Sequence, residues 1–141
     1  MTHLPPTERS LPIALLRARE RVMAPIREML AASGVTEQQW RILRVLVEGG
    51  PQEATVLAAR ACLQAPSLTR IVQSMEKRGL VVRTRADDDR RKQIVAATDE
   101  GRAIIEVHLE EASRIAARYR ERLGEDRYED LLATLMMLED L

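Results

Sequence analysis

Residues 66–78 place Pro66, Ser67, Thr69, Arg70, Gln73, Ser74 and Lys77 at steps that keep small hydroxyls, one amide and long cations on the outward side of a helix. Such a face can hydrogen-bond to polar edges and anions. Arg70 and Gln73 carry the paired groups that address base edges, and Ser67 and Thr69 suit bases or phosphates. A second cluster follows within a charged loop: Arg83, Arg85, Asp89, Arg90 and Arg91. Three consecutive aspartates at 87–89 cannot themselves dock on phosphates, so Asp89 reads as an orienting partner for Arg91. Arg90 or Arg91 is then left to project into a minor groove, where negative potential attracts guanidinium. Residues 60–92 hold nine Lys/Arg against four Asp/Glu, whereas residues 106–141 hold five Arg against ten Asp/Glu. The chain as a whole has zero formal net charge. A local cationic face is all that phosphate contact needs, so the segregation suits a DNA reader whose remaining surface repels the duplex.

The elements that must position these residues follow from periodicity. Ser10 is a cap for a long helix on which Leu11, Leu15, Ala18, Val22, Ile26 and Met29 form a narrow apolar seam. Pro25 is expected to bend it, and Ser33-Gly34 to end it. Thr36 and Gln39 have capping-box spacing before a buried helix bearing Trp40, Ile42, Leu43, Leu46 and Val47, stopped by Gly49-Gly50-Pro51. A short helix over 53–62 turns Val56, Leu57, Ala58 and Ala61 inward; a tight turn at 63–65 leads to the helix over 66–78, buried through Leu68, Ile71, Val72 and Met75. Segments 80–85 and 92–97, rich in Val and Ile, predict a β-hairpin joined by 86–91. Thr98 caps another long helix with a second apolar seam, Gly124 breaks it, and a last helix runs from 125 to the end of the chain. Two short helices, a tight turn and a hairpin make a winged helix-turn-helix, with 66–78 as the helix that enters a major groove and 83–92 as the wing. The fold class expected is mainly α with a small β-hairpin (α+β), flanked by N- and C-terminal dimerisation helices.

Several function classes are excluded. There is no Gly-rich phosphate loop, no nucleophile beside a base and no His/Asp/Glu cluster at metal spacing, so neither an enzyme nor a cofactor is expected. One cysteine and two histidines, His3 and His108, make no disulfide and no zinc site. Cys62, on the apolar side of a helix end, reads as a buried structural thiol rather than a redox sensor, and His108 as a polar residue of a dimer face rather than a metal ligand. No long apolar run predicts a membrane span, and residues 1–8 lack the pattern of a secretory signal, which makes them a frayed arm in a cytoplasmic protein. Two readings stay open: a DNA-binding regulator, or a winged-helix module for protein contacts in which Arg70, Lys77 and Arg78 only solvate an exposed helix.

The stretch Leu57-Ala58, Pro66-Ser67-Leu68-Thr69-Arg70, Met75-Glu76-Lys77-Arg78-Gly79-Leu80-Val81 and Asp89-Arg90-Arg91, with Thr98 and Gly101, resembles the multiple-antibiotic-resistance regulator (MarR) family over nearly the whole chain. That family's wing signature is Asp-x-Arg, five residues, Leu-Thr; Asp89, Arg91 and Thr98 fit, and Ala97 stands for the leucine, which weakens hairpin packing rather than DNA contact. The resemblance implies one MarR-type domain over 1–141, with 36–98 as the DNA-binding lobe and 10–33 and 99–141 as dimerisation helices. It further implies a triangular homodimer that reads pseudo-palindromic duplex DNA with half-sites about one helical turn apart. Ser10-Leu11, Ile13 to Leu16 and Ala18-Arg19-Glu20, with the run from Thr36 to Ile42, are similar to the subgroup that represses homoprotocatechuate (hydroxyphenylacetate) degradation operons. A small aromatic acid effector is then implied, while control of efflux or oxidative-stress genes is the broader family alternative. An aromatic acid needs a cation for its carboxylate and an apolar wall for its ring. The residues available are Arg17, Arg19, Arg21, Arg41 and Arg44 for charge and Met23 and Trp40 for the wall, with Arg19 and Trp40 the first choices.

Overall fold

The computed structural model describes residues 2–141. The chain forms two compact units, one running to His108 and the other Leu109–Leu141. The elements are α1 (Leu11–Leu30), a 3-10 turn (Ala31–Ser33), α2 (Glu37–Gly49), β1 (Gln52–Glu53), α3 (Ala54–Arg60), α4 (Ala65–Lys77), β2 (Val81–Arg85), β3 (Gln93–Ala97), α5 (Asp99–Leu123) and α6 (Glu125–Met137). The unit boundary therefore falls inside α5. No helix among the described residues is long and apolar enough to cross a membrane.

The expected caps fare differently at the helix starts. Thr36 Oγ1 accepts from Gln39 N and Gln39 Oε1 accepts from Thr36 N, each at 3.1 Å, so both arms of the capping box close at α2. Ser10 occupies the N-cap of α1, but its hydroxyl makes no capping bond; Pro12 in the first turn, with φ preset for helix, starts α1 instead. The helix continues through Pro25 to Leu30. A short 3-10 turn at Thr7–Arg9 precedes it within the expected frayed arm; Met1 of that arm lies outside the described residues.

The core of the first unit is a wedge of Ile42, Leu43 and Leu46 from α2, Leu57 and Ala58 from α3, and Leu68, Val72 and Met75 from α4, closed by Val81 and Val95 of the sheet. Val47 and Val56, expected to face inward, lie outside this wedge and remain exposed, because neighbouring apolar residues on α2 and α3 already fill it. The expected two-stranded hairpin is a three-stranded antiparallel sheet in the order β1-β3-β2, with Gln52 opposite Val95 and Glu53 opposite Ile94. Two residues show no periodicity, so β1 was not legible as a strand. Its anchor is polar: the buried Gln52 amide donates to Val45 O (2.9 Å) and Gly50 O (3.1 Å), and its oxygen accepts from Arg60 Nη1 (3.1 Å).

Thr98 caps α5 by accepting from Gly101 N at 3.1 Å and also donates to Gly79 O at 2.6 Å, which ties the helix start to the end of α4. Gly101 permits that approach: a Cβ there would stand 2.2 Å from Leu80 O and 3.0 Å from a Leu43 methyl. Two expectations about single residues are overturned. His108 is buried, 2.6 Å from Ser33 Oγ and edge-on to the Trp40 ring at 5.9 Å, so it belongs to the interior of its own protomer and not to a dimer face. Cys62 is exposed, with φ 57°; Ala61 takes the inward place at the end of α3, and the left-handed turn that follows carries the thiol outward.

Within the second unit, Arg120 pairs with Glu125 (2.7 Å) and Glu129 (3.1 Å) and lies 4.3 Å over the Tyr128 ring. That cluster fastens α6 to the last turn of α5 across Gly124, whose φ of 82° makes the break. Helix α6 ends at Met137, four residues short of the chain end.

Candidate nucleic-acid interface

Helix α4 is amphipathic in the simplest way. Leu68, Val72 and Met75 sit in the core and Ile71 packs against it, which leaves the positions between them to solvent. Pro66 falls in the first turn, where its missing N–H removes nothing. Thr69, Arg70, Gln73, Ser74 and Lys77 are exposed, and Ser67 is half-buried. Thr69 donates its hydroxyl back to Ala65 O at 3.1 Å, so only its oxygen lone pairs face outward. Among the described residues no side-chain partner is found for Arg70, Gln73, Ser74 or Lys77. The turn that aims α4 is closed by Leu63 N donating to Ala58 O at 2.9 Å and Cys62 N to Ala59 O at 3.2 Å.

The wing cations divide into two kinds. Arg91 is 92% exposed, while Asp89 accepts from its backbone N (2.9 Å) and its Nε (3.2 Å), so the expected orienting pair is present. Arg90 is also exposed. Arg83 behaves differently from the reading that placed it against DNA: Nε and Nη2 fork onto the two Glu76 oxygens at 3.2 and 2.9 Å. The hydrogen bond from Arg83 holds the Glu76 carboxyl below its ordinary range, and the same bond raises the Arg83 guanidinium. This bidentate bridge joins wing and α4, which makes Arg83 a strut. Arg85 donates to Arg90 O at 2.7 Å and braces the loop from within. Spacing alone could not separate struts from fingers, because all four are arginines on one hairpin. The signal that could have found the strut is Glu76, a lone acid in an otherwise cationic α4.

A different set of arginines lies along α1 and α2. Arg19 donates to Glu37 at 2.7 Å, and Arg27 reaches both Glu20 (2.7 Å) and Glu37 (3.4 Å). The hydrogen bond from Arg19 keeps Glu37 below the usual carboxylate range against the opposing effect of burial, with Arg27 and Arg41 adding charge. Arg17 donates to Thr7 O at 3.3 Å. Arg19, the first choice for an effector carboxylate, is thus occupied by Glu37. Among the described residues the buried Nε of Arg41 finds no hydrogen-bond partner, nor does Glu37 Oε2, and Arg44 is exposed one turn along from Arg41. Trp40 is 5% exposed and Met23 half-buried. Beside Glu37 opens a cleft of about 340 Å³ whose wall includes Arg27, Leu30, Val35 and Thr36. Among the described residues no group of three or more His, Cys, Asp or Glu is placed to hold a metal ion.

Comparison with known proteins agrees with this geometry. The family model described as MarR family matches residues 35–92, from the start of α2 into the wing. The homoprotocatechuate degradative operon repressor of Escherichia coli is 44% identical over 108 residues, covering 74% of this chain and 73% of that one. Among solved structures, NadR in complex with 4-hydroxyphenylacetate is 37% identical with a TM-score of 0.79, covering 95% of this chain and 97% of its own. The repressor CouR bound to a 23-mer DNA duplex is 30% identical with a TM-score of 0.82 over 99% of both chains.

Proposed function

The chain belongs to the MarR family of transcriptional regulators, which are DNA-binding repressors and not enzymes, and from that premise we propose a homodimeric repressor of an aromatic-acid catabolic operon, released by a phenolic acid. Its α4 enters successive major grooves of a pseudo-palindromic duplex, with Arg70 and Gln73 at base edges and Ser67, Thr69, Ser74 and Lys77 at bases or phosphates. Arg90 and Arg91 reach the flanking minor groove. The observation that carries this reading is the unpartnered polar face of α4 beside a wing arginine that is 92% exposed yet held by Asp89. An exposed cation already oriented loses little entropy on meeting a phosphate or groove.

Dimerisation accounts for apolar surface that the protomer leaves in water. Leu11 (53%), Leu15 and Leu16 (66%) are exposed on α1, and Leu131, Leu132, Met136 and Met137 (75%) on α6. For the effector, support comes from the relative solved with 4-hydroxyphenylacetate and from the relative named for homoprotocatechuate degradation. Among the candidate cations not committed to an acid, Arg41 and Arg44 share α2 with Trp40, so they take the effector carboxylate, with Trp40 and Met23 as wall. A ligand favouring a dimer whose recognition helices are misplaced for the grooves lowers operator affinity by ~1–3 kcal/mol through linkage. Such a regulator works in the cytoplasm, beside its DNA.

Anisotropy titration against duplex from the gene's own upstream region tests the reading. Affinity should fall with salt at a log–log slope of about −0.9 per phosphate neutralised, and 4-hydroxyphenylacetate should release the duplex. A salt-insensitive response with no preference for that region would assign the fold to protein contacts instead.

A further inference from the structure

One cation at the end of α4 is held within the protomer although it is exposed. Arg78 follows the last helical residue, and its guanidinium forks onto two successive carbonyls: Nη1 donates to Gly34 O at 3.0 Å and Nη2 to Ser33 O at 3.3 Å. Those oxygens lie at the C-terminal end of α1 and its 3-10 extension, where unpaired carbonyls and the helix dipole favour a cation. The same turn is held from another side, because Ser33 Oγ lies 2.6 Å from His108 Nε2 on α5, and the His108 ring packs against Trp40 of α2. Gly34 also forms part of the wall of the 340 Å³ cleft. Two residues, Ser33 and Gly34, therefore meet α4, α5 and the cleft at once.

We infer that Arg78 is a positioning residue that sets the angle of α4 relative to the α1 and α5 scaffold, and that the Ser33-Gly34 turn is the joint through which a shift of that scaffold reaches the DNA-facing side chains. The inference rests on α4 being the recognition helix. The lever is geometric. A 13-residue helix is about 20 Å long, so a tilt of about 5° at one end displaces the other by nearly 2 Å, enough to break hydrogen bonds to bases. Lys77, one residue earlier, is exposed and without a side-chain partner among the described residues, so adjacent cations divide into one free for the duplex and one for the frame.

The test measures operator affinity and its salt slope for the full-length protein, Arg78→Ala, Arg78→Lys and Ser33→Ala. Arg78→Ala should weaken operator binding about three- to tenfold, as fits two charge-assisted bonds at an exposed site, with the slope unchanged because no phosphate contact is lost. Arg78→Lys, whose ammonium lacks the fork, should fall between. Ser33→Ala removes only the link to His108 and should weaken binding about twofold, and the loss should be less than additive with Arg78→Ala because both act on one joint. A slope shallower by about one unit in Arg78→Ala would make Arg78 a phosphate contact, and unchanged operator affinity in Arg78→Ala would remove its role; either overturns the inference. Failure of the unmodified protein to bind duplex at all would instead sink the reading of α4 on which it rests.

Discussion

The outward face of α4 and the facing sides of α1 and α2 draw on the same residue type to opposite effect. On α4 and the wing tip, the side chains of Arg70, Lys77 and Arg90 have no intramolecular partner among the described residues, and Arg91 is paired with Asp89 yet stays 92% exposed. Along α1 and α2, Arg19 and Arg27 are closed onto Glu20 and Glu37. An arginine whose charge is already met by a carboxylate gains little by approaching a phosphate, since it must first give up a hydrogen-bonded partner. What distinguishes a proposed contact residue from a frame residue here is how far a partner covers the cation, not the identity of the side chain: Arg91 stays 92% exposed beside Asp89, whereas Arg83 is 24% exposed against Glu76. Arg83, on the wing but bound to Glu76, follows the frame rule despite its location.

Gly101→Ala should have the largest effect, because it removes both regions at once. Its Cβ would stand 2.2 Å from a backbone oxygen, so α5 must move off Leu80, and a loss of roughly 3 kcal/mol or more in thermal or urea unfolding is expected. Arg70→Ala tests the exposed side of the contrast. It should cost ~1–3 kcal/mol on the operator while leaving random duplex nearly unchanged, and equal losses on both would remove Arg70 from base reading. The wing gives the sharper comparison. Arg91→Ala should shorten the salt slope by about one unit, whereas Arg83→Ala should weaken operator binding with the slope intact. Identical slope changes for the two would erase the division between finger and strut.

The smallest effect tests the paired side. The folded-state carboxyl of Glu37 lies below its ordinary value of 4.5, so its pairing stabilises the protein above that pH and is lost as pH falls through the lowered value. Glu37→Gln should therefore lower stability at neutral pH and narrow the gap to the unmodified protein below about pH 4 in acid unfolding. A gap that widens on acidification would contradict the ion-pair account of α1 and α2.

Much of this was written in local sequence. The Thr36/Gln39 capping box, the Leu68, Val72 and Met75 stripe, the paired Val- and Ile-rich strands and the Asp89–Arg91 spacing each act within a few residues, so their types and intervals determined α2, the buried side of α4, the hairpin and the wing-tip pair. Tertiary structure alone decided the rest: that Gln52 brings a third strand to the sheet, that His108 lies beneath Ser33 and Trp40, that Cys62 faces solvent, and that Arg83 and Arg78 are held while Arg70 and Lys77 are not. The Arg78 and His108 contacts join residues 44 and 75 positions apart, and even the nearer Arg83–Glu76 bridge forms only after α4 and β2 have packed. Periodicity records which side of an element is apolar; which carboxylate or carbonyl a long cation meets depends on how elements pack against one another, and no interval along the chain encodes that.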